Sequence, residues 1–350
     1  MEIKGLSDDN ILKISHIKEE DEWALKYRID SYHNFLKLGL PDFGPKIELD
    51  FDNIIYYKSR QESEIKNNWN DINCSVKNEL DNLGVLESEK HLDGIGVQYE
   101  SEVIYHNMLS ELEEKNVIFT SIEVAMKKYP ELVKKYFGKI VSNNENKFAA
   151  LNGAVFSGGS FIYIPPNTTL DRPLQSYFRI NSRNMGQFER TLIIVEDKSH
   201  LHYVEGCTAP TYSDSSLHAA VVEIYVGKNS SCRYSTIQNW APNVYNLVTK
   251  RALVDENGVM EWIDGNIGSR LTMKYPCCVL KGDNSKGTCI TISVASKTQE
   301  QDSGARMIHL GKNTTSNIIS KSIAQSGGNS TYRGKVRITK GATGSSAMVI

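Results

Sequence analysis

The sequence has no long hydrophobic run. Nothing in its 350 residues approaches the roughly 18 consecutive apolar positions of a membrane span. It also lacks an excess of either charge: 40 basic against 42 acidic residues leave a net charge of −2, so composition calls for neither nucleic acid nor a membrane as partner. The N-terminus, Met1-Glu2-Ile3-Lys4-Gly5, lacks the basic-then-apolar layout of a signal peptide. A cytoplasmic location is therefore expected, or an equivalent reducing compartment such as a plastid stroma. No C-x-x-C pair occurs among the six cysteines, Cys74, Cys207, Cys232, Cys277, Cys278 and Cys289, which disfavours a zinc ribbon or a thioredoxin-type centre. A disulfide framework is not expected in a reducing compartment. Cys277 and Cys278 are adjacent, so on a strand they point to opposite faces and would chelate one metal poorly. There is no Walker loop, no G-x-G-x-x-G and no G-x-S-x-G, and no pair of acidic residues stands out as a glycosidase pair.

The first 145 residues read as a helical region with an extended arm. Ser7 is a candidate N-cap, and Asp21 to Leu38 carries apolar residues at spacing closer to 3.6 than to 2. Residues 46–75 are polar around Ile54-Ile55-Tyr56-Tyr57 and read as the arm. Glu100 to Lys115 and Ser121 to Lys139 read as two further helices, with Pro130 marking a break. Asn143-Asn144-Glu145-Asn146 is a loop and the expected boundary before a second domain, 146–350.

From Phe148 onward short alternating strands are separated by Gly, Asn and Ser. A strand end followed by a polar turn recurs at Ile164, Val195, Val226, Val254, Leu280 and Leu310, 26 to 31 residues apart. A strand–turn–strand unit at nearly constant period predicts a β-solenoid, in particular a parallel β-helix, because one unit cannot bury its apolar face without stacked neighbours. A β-sandwich with similar turns is the alternative.

Cys207 draws attention first. The stretch His200-Leu201-His202-Tyr203-Val204-Glu205-Gly206-Cys207 reads as a strand running into a turn, punctuated by Gly206 and Pro210, that would present the thiol at an opening. A buried, apolar role is the plain alternative for any cysteine. His200 and His202 share a strand face and could form half a metal site, with solvent-facing histidines as the alternative. Arg179 and Asn181 share a strand face, as do Gln238 and Trp240; Lys250 follows in Val248-Thr249-Lys250-Arg251. Such polar residues face solvent or line a hydrogen-bonded internal path, and sequence alone favours solvent.

Ordered blocks through the chain resemble the SufB subunit of the SUF iron–sulfur cluster assembly system. They include Phe178-Arg179-Ile180-Asn181, Gly186-Gln187-Phe188-Glu189-Arg190-Thr191, Glu205-Gly206-Cys207, Gln238-Asn239-Trp240, Thr249-Lys250-Arg251 and Gly311-Lys312-Asn313-Thr314. SufD shares the fold but resembles these blocks less. The resemblance implies a right-handed parallel β-helix behind an N-terminal helical region. It implies a scaffold, not an enzyme, on which a nascent cluster forms, with SufC as ATPase partner and SufD as sister subunit. Sulfur would come as a persulfide from a cysteine desulfurase and its carrier. It also implies a reduced flavin in the complex and leaves a homodimer open. Carried over, Cys207 is the sulfur acceptor, and Arg179, Asn181, Gln238, Trp240 and Lys250 line the sulfur path. The family's second cysteine and a His–Glu ligand pair are expected beyond Ile350, so the chain reads as truncated. The rival readings are a non-catalytic adaptor like SufD and, more remotely, a carbohydrate-active β-helix.

Overall fold

The computed structural model describes residues 1–59, 64–210 and 215–350. From Ser160 onward the chain winds through about six turns of a β-solenoid, laid down on two long sheets. The first sheet runs through Leu174–Arg179, His200–Thr208, Ser231–Trp240, Val259–Gly268, Lys286–Ser296 and Thr315–Gln325; the second includes Arg190–Val195, Val221–Val226, Val244–Val254, Cys277–Leu280 and Glu300–His309. Neighbouring strands of successive turns are parallel and in register, so that Tyr203 lies beside Tyr234 and Tyr234 beside Trp262. The mainly β, parallel β-helix architecture expected from the repeat is what the chain adopts.

The recurring polar turn is the corner of each solenoid turn. Asn167, Lys198, Asn229, Asn257, Asn284 and Asn313 all sit there with φ between 53° and 61°. This left-handed conformation suits asparagine, whose short side chain tolerates it. Each of these residues donates its backbone N–H to a carbonyl of the following turn, at 2.8–2.9 Å. The corners therefore stack as well as bend, which explains why the polar turn recurs at a steady period.

The N-terminal region differs from the expectation in several places. Ser7 caps a helix over Asp8–Ile17, its Oγ accepting from Asn10 N, and Glu22–Lys37 is helical as the spacing predicts. Residues 100–115 are not one helix. Glu102–Met108 is a strand paired antiparallel with Gly94–Tyr99, and only Ser110–Glu114 is helical. Val103, Ile104 and Tyr105 favour the pleated surface, and the sheet edge at Leu174–Arg179 provides the pairing partner for Gly94–Tyr99. Ser121 is an N-cap as read, and Pro130 opens a second helix, Pro130–Tyr136. The expected arm contains a strand, Ile55–Lys58, on Glu2–Lys4, and a helix starting at Cys74; residues 60–63 of it lie outside the described residues. Strand texture also does not begin at Phe148: Lys147–Val155 is a helix, capped by the Asn146 side chain accepting from Phe148 N and Ala149 N. Its small residues let it pack closely on Glu22–Lys37, an interaction that local periodicity does not report.

Two apolar layers hold these parts together. Inside the solenoid, Ile162, Ile193, Leu201, Val222, Ile224, Met260, Trp262 and Met307 form one cluster. Outside the second sheet, Leu217, Tyr245, Leu247 and Met273 are buried under Phe35, Phe148, Leu151 and Tyr56. The buried guanidinium of Arg28 ties the helices to each other, bonding Glu20 at 2.6 Å and the carbonyls of Ala154 and Phe156 at 3.1 and 3.0 Å.

Candidate functional site

The solenoid interior is apolar along one side only. On the first sheet, the inward positions alternate along each strand, and register stacks them into columns. One column runs Cys207, Gln238, Asn266, Ser293; its neighbour runs Glu205, Thr236, Asp264, Thr291. Across the interior, the second sheet contributes His218, Asn246, Thr272 and Gln301 in one column and Lys274 beside Ser303 in another. Glu189 and Lys250 complete the set. All of these side chains are buried. The result is a lane of polar and charged groups running lengthwise beside the hydrophobic core.

Cys207 stands near one end of this lane. Its thiol donates to Glu205 Oε1 at 3.7 Å and receives the Gln238 Nε2 amide at 3.9 Å. Gln238 Oε1 in turn accepts from Asn246 Nδ2 at 2.8 Å and from Lys274 Nζ at 3.2 Å. Lys274 lies 3.3 Å from Asp264 Oδ1, and Lys250 lies 3.8 Å from the same oxygen and 3.7 Å from Glu205 Oε1. Thr236 donates to Asp264, and Tyr234 donates to Glu205 Oε2. On the opposite wall His218 Nε2 is 2.8 Å from Glu189 Oε2, its Nδ1 is 2.7 Å from Asn246 Oδ1, and its ring packs on Trp240.

Burial sets the electrostatics. It pushes the Cys207 thiol pKa well above its ordinary value, reinforced by the carboxylates of Glu205 and Glu189 and only partly opposed by Lys250 and Lys274. Lys274 is pulled down by burial, with Lys250 adding to that and Asp264 opposing it. Burial would raise Asp264, but Lys274 and Lys250 outweigh it and hold the carboxyl below its usual range. His218 is raised because Glu189 overcomes the cost of burying its charge. Several groups keep no partner within the described residues, among them Trp240 Nε1, Asp264 Oδ2 and both amide atoms of Asn266. Unpartnered buried polar atoms cost stability, on the order of 1–3 kcal/mol each, so packing alone does not account for them.

The structure corrects the reading of Cys207 as a thiol at an exposed turn. It lies within the strand His200–Thr208, faces inward and is 0% exposed, sheathed by Phe178, Ile180 and Trp240. The turn beyond Pro210 lies partly outside the described residues, at 211–214. Gln238, Trp240 and Lys250 do not face solvent, as sequence alone favoured, but the interior. Arg179 and Asn181 are not brought together with them. Arg179 is on the outer face, with Nε on Glu79 Oε1 at 2.9 Å and Nη1 on Thr208 Oγ1 at 2.9 Å. Asn181 lies past the strand end and donates to the Tyr99 hydroxyl. His200 and His202 each bond a serine of the next strand, Ser231 at 2.8 Å and Ser235 at 3.0 Å. Among the described residues no three His, Cys, Asp or Glu side chains gather as a metal site.

Sequence reasoning missed Glu205, Asp264, Lys274, His218 and Asn246. For two of them a signal was available: Glu205 follows Leu201 and Tyr203, and Asp264 follows Met260 and Trp262, on the inward alternation of their strands.

Comparison with known proteins agrees with this architecture. Residues 178–350 match the model of the SUF system FeS cluster assembly SufBD core domain, and residues 97–176 match the SufBD protein N-terminal region. An iron–sulfur cluster assembly SufBD family protein of Staphylococcus saprophyticus is 55% identical over 343 residues, covering 97% of this chain and 74% of that protein. A counterpart in Staphylococcus aureus is 54% identical with the same coverage. With its solenoid core and N-terminal region both matched, the chain belongs to the SufBD family of iron–sulfur cluster assembly proteins.

Proposed function

We propose that this chain is a SufB-type scaffold on which sulfur is taken up at Cys207 for nascent cluster formation. The observation that carries the reading is the placement of Cys207 at the head of the buried polar lane, with the Gln238 amide on its sulfur and Lys250 and Lys274 behind. A persulfide is an anion once it loses its proton, and amide and ammonium donors stabilise it where bare hydrocarbon would not. The donor is a cysteine desulfurase with its carrier. SufC and SufD are the partners, and ATP hydrolysis is assigned to SufC. Gln238, Trp240 and Lys250 line the path from inside. Arg179 and Asn181 act from the outer face, at the end of the strand that pairs with the Cys207 strand. The test is to incubate the chain with a cysteine desulfurase and cysteine and to read the mass of each cysteine-containing peptide. Added labile sulfur on the Cys207 peptide, absent in Cys207→Ser, is the expected result.

A SufD-like adaptor is the second reading, and the complete burial of Cys207 favours it. A folded Cys207→Ser chain that supports cluster assembly as well as the wild type would decide for the adaptor.

A further inference from the structure

The sulfur-uptake reading leaves a chemical gap. The Cys207 thiol is fully buried and burial disfavours its anion, yet only a thiolate attacks sulfur well. A proton acceptor must therefore stand inside the solenoid. Glu205, two residues back on the same strand, has its Oε1 at 3.7 Å from the Cys207 sulfur, accepting the thiol hydrogen. Its Oε2 is fixed by the Tyr234 hydroxyl, so the carboxylate is oriented with one oxygen on the thiol. Lys250 Nζ lies 3.7 Å from that same Oε1.

We propose that Glu205 is the catalytic base of sulfur uptake at Cys207. This rests on the reading of Cys207 as acceptor. The thiol proton passes to Glu205 Oε1. The thiolate attacks the terminal sulfur of a cysteine persulfide donor, R–S–SH. The donor S–S bond breaks as the Cys207 S–S bond forms, and the donor leaves as R–S⁻, which regains a proton from solvent. The transferred sulfur keeps its oxidation state, so no oxidant is needed. The proton shift also leaves the charge of the buried cluster unchanged: Glu205 becomes neutral as Cys207 becomes negative. No uncompensated charge is created in a low-dielectric interior. Lys250, released from the Glu205 carboxylate, faces the Cys207 thiolate. After transfer the Cys207–S–SH product is neutral. It becomes a persulfide anion beside Lys250 by losing its proton to solvent, and Glu205 likewise returns its proton to solvent.

The groups facing this pair are Tyr203 and Tyr234 beside it, Lys250, Asp264 and Lys274 along the lane, and Glu189 with His218 on the opposite wall. The test compares sulfur loading of the Cys207 peptide in wild type and Glu205→Gln, which keeps size and one acceptor. Loading in the folded variant should fall roughly 100-fold, the scale of a lost general base. A Glu205→Gln chain with wild-type near-UV circular dichroism that loads within threefold of wild type overturns the proposal. Should that variant not fold, Tyr234→Phe serves. It removes a hydrogen bond that favours the anionic carboxylate, so the acid limb of the loading-rate–pH profile should move to higher pH. An unmoved acid limb overturns the proposal. A wild-type chain that takes up no sulfur at Cys207 instead overturns the reading of the acceptor itself.

Discussion

Arg190 Nη2 meets Glu223 Oε2 at 2.5 Å with both side chains fully shielded from solvent. The same carboxylate accepts backbone N–H groups from Gly138 at 2.8 Å and from Ile140 and Val141 at 3.0 Å. One solenoid side chain thus pins the loop that follows the Pro130–Tyr136 helix. Removing Glu223 leaves a buried guanidinium and three backbone donors unpaired. Glu223→Ala is expected to lower stability by about 3–5 kcal/mol, read as a reduced urea midpoint.

Thiol accessibility gives a second expectation. Cys74 is exposed and the other five cysteines are buried. Brief alkylation of the native chain should modify the Cys74 peptide first, Cys232, Cys277, Cys278 and Cys289 should need denaturant, and Cys207 should label slowly without it, at the rate at which the layer over it opens to a sulfur donor. Prompt labelling of Cys207 in the native chain would show that the layer over it opens readily.

The lane should leave its mark on stability against pH. The Asp264 carboxyl is held below its ordinary 3.8, so its contribution is present above that value and is lost as pH falls through the folded-state value. Burial opposes protonation of His218, but Glu189 prevails and raises it above 6.5. Its contribution is complete below 6.5 and is lost as pH rises through the folded-state value. Thermal melts should therefore show a flatter acid limb in Asp264→Asn and a flatter loss above about pH 6.5 in His218→Gln, each relative to wild type.

The turn corners predict a gain rather than a loss. Lys198 occupies with φ 58° a position held by asparagine in five other turns. A lysine side chain is strained there and an asparagine less so. Lys198→Asn should stabilise the chain by roughly 0.5 kcal/mol, measured by chemical denaturation. A destabilised variant would mean that the lysine side chain does more than tolerate its backbone.

The solenoid was legible because its information is periodic. Ile164, Val195, Val226, Val254, Leu280 and Leu310 mark strand ends whose spacing equals one turn of the chain, and the asparagines after them need a backbone conformation few residues accept. The helix Lys147–Val155 and the strand Glu102–Met108 were not legible. The helix packs on Glu22–Lys37, far away in sequence; the strand pairs with its neighbour Gly94–Tyr99, which is itself held by the distant edge strand Leu174–Arg179. The interior position of Lys250 and Gln238 was hidden for a related reason. Alternation tells which residues share a face, but a polar residue on a strand is usually on the wet one. Cys207 was placed on the right strand and the wrong surface. Of the companions that make it chemically interesting, Glu205 is two residues back on the same strand, and Lys250 comes from the other sheet and meets them only across the folded interior.

Register also fixes distance. The position beside Cys207 passes to Gln238, Asn266, Ser293 and Ser322 on successive strands of the first sheet. Each step is one strand spacing, roughly 4.8 Å, so these four steps measure about 19 Å. Separations along the lane are therefore quantised. A group can be moved farther from the thiol by a whole turn of chain or not at all, and inserting or deleting one turn would lengthen or shorten the route while leaving every local contact of the remaining turns in place.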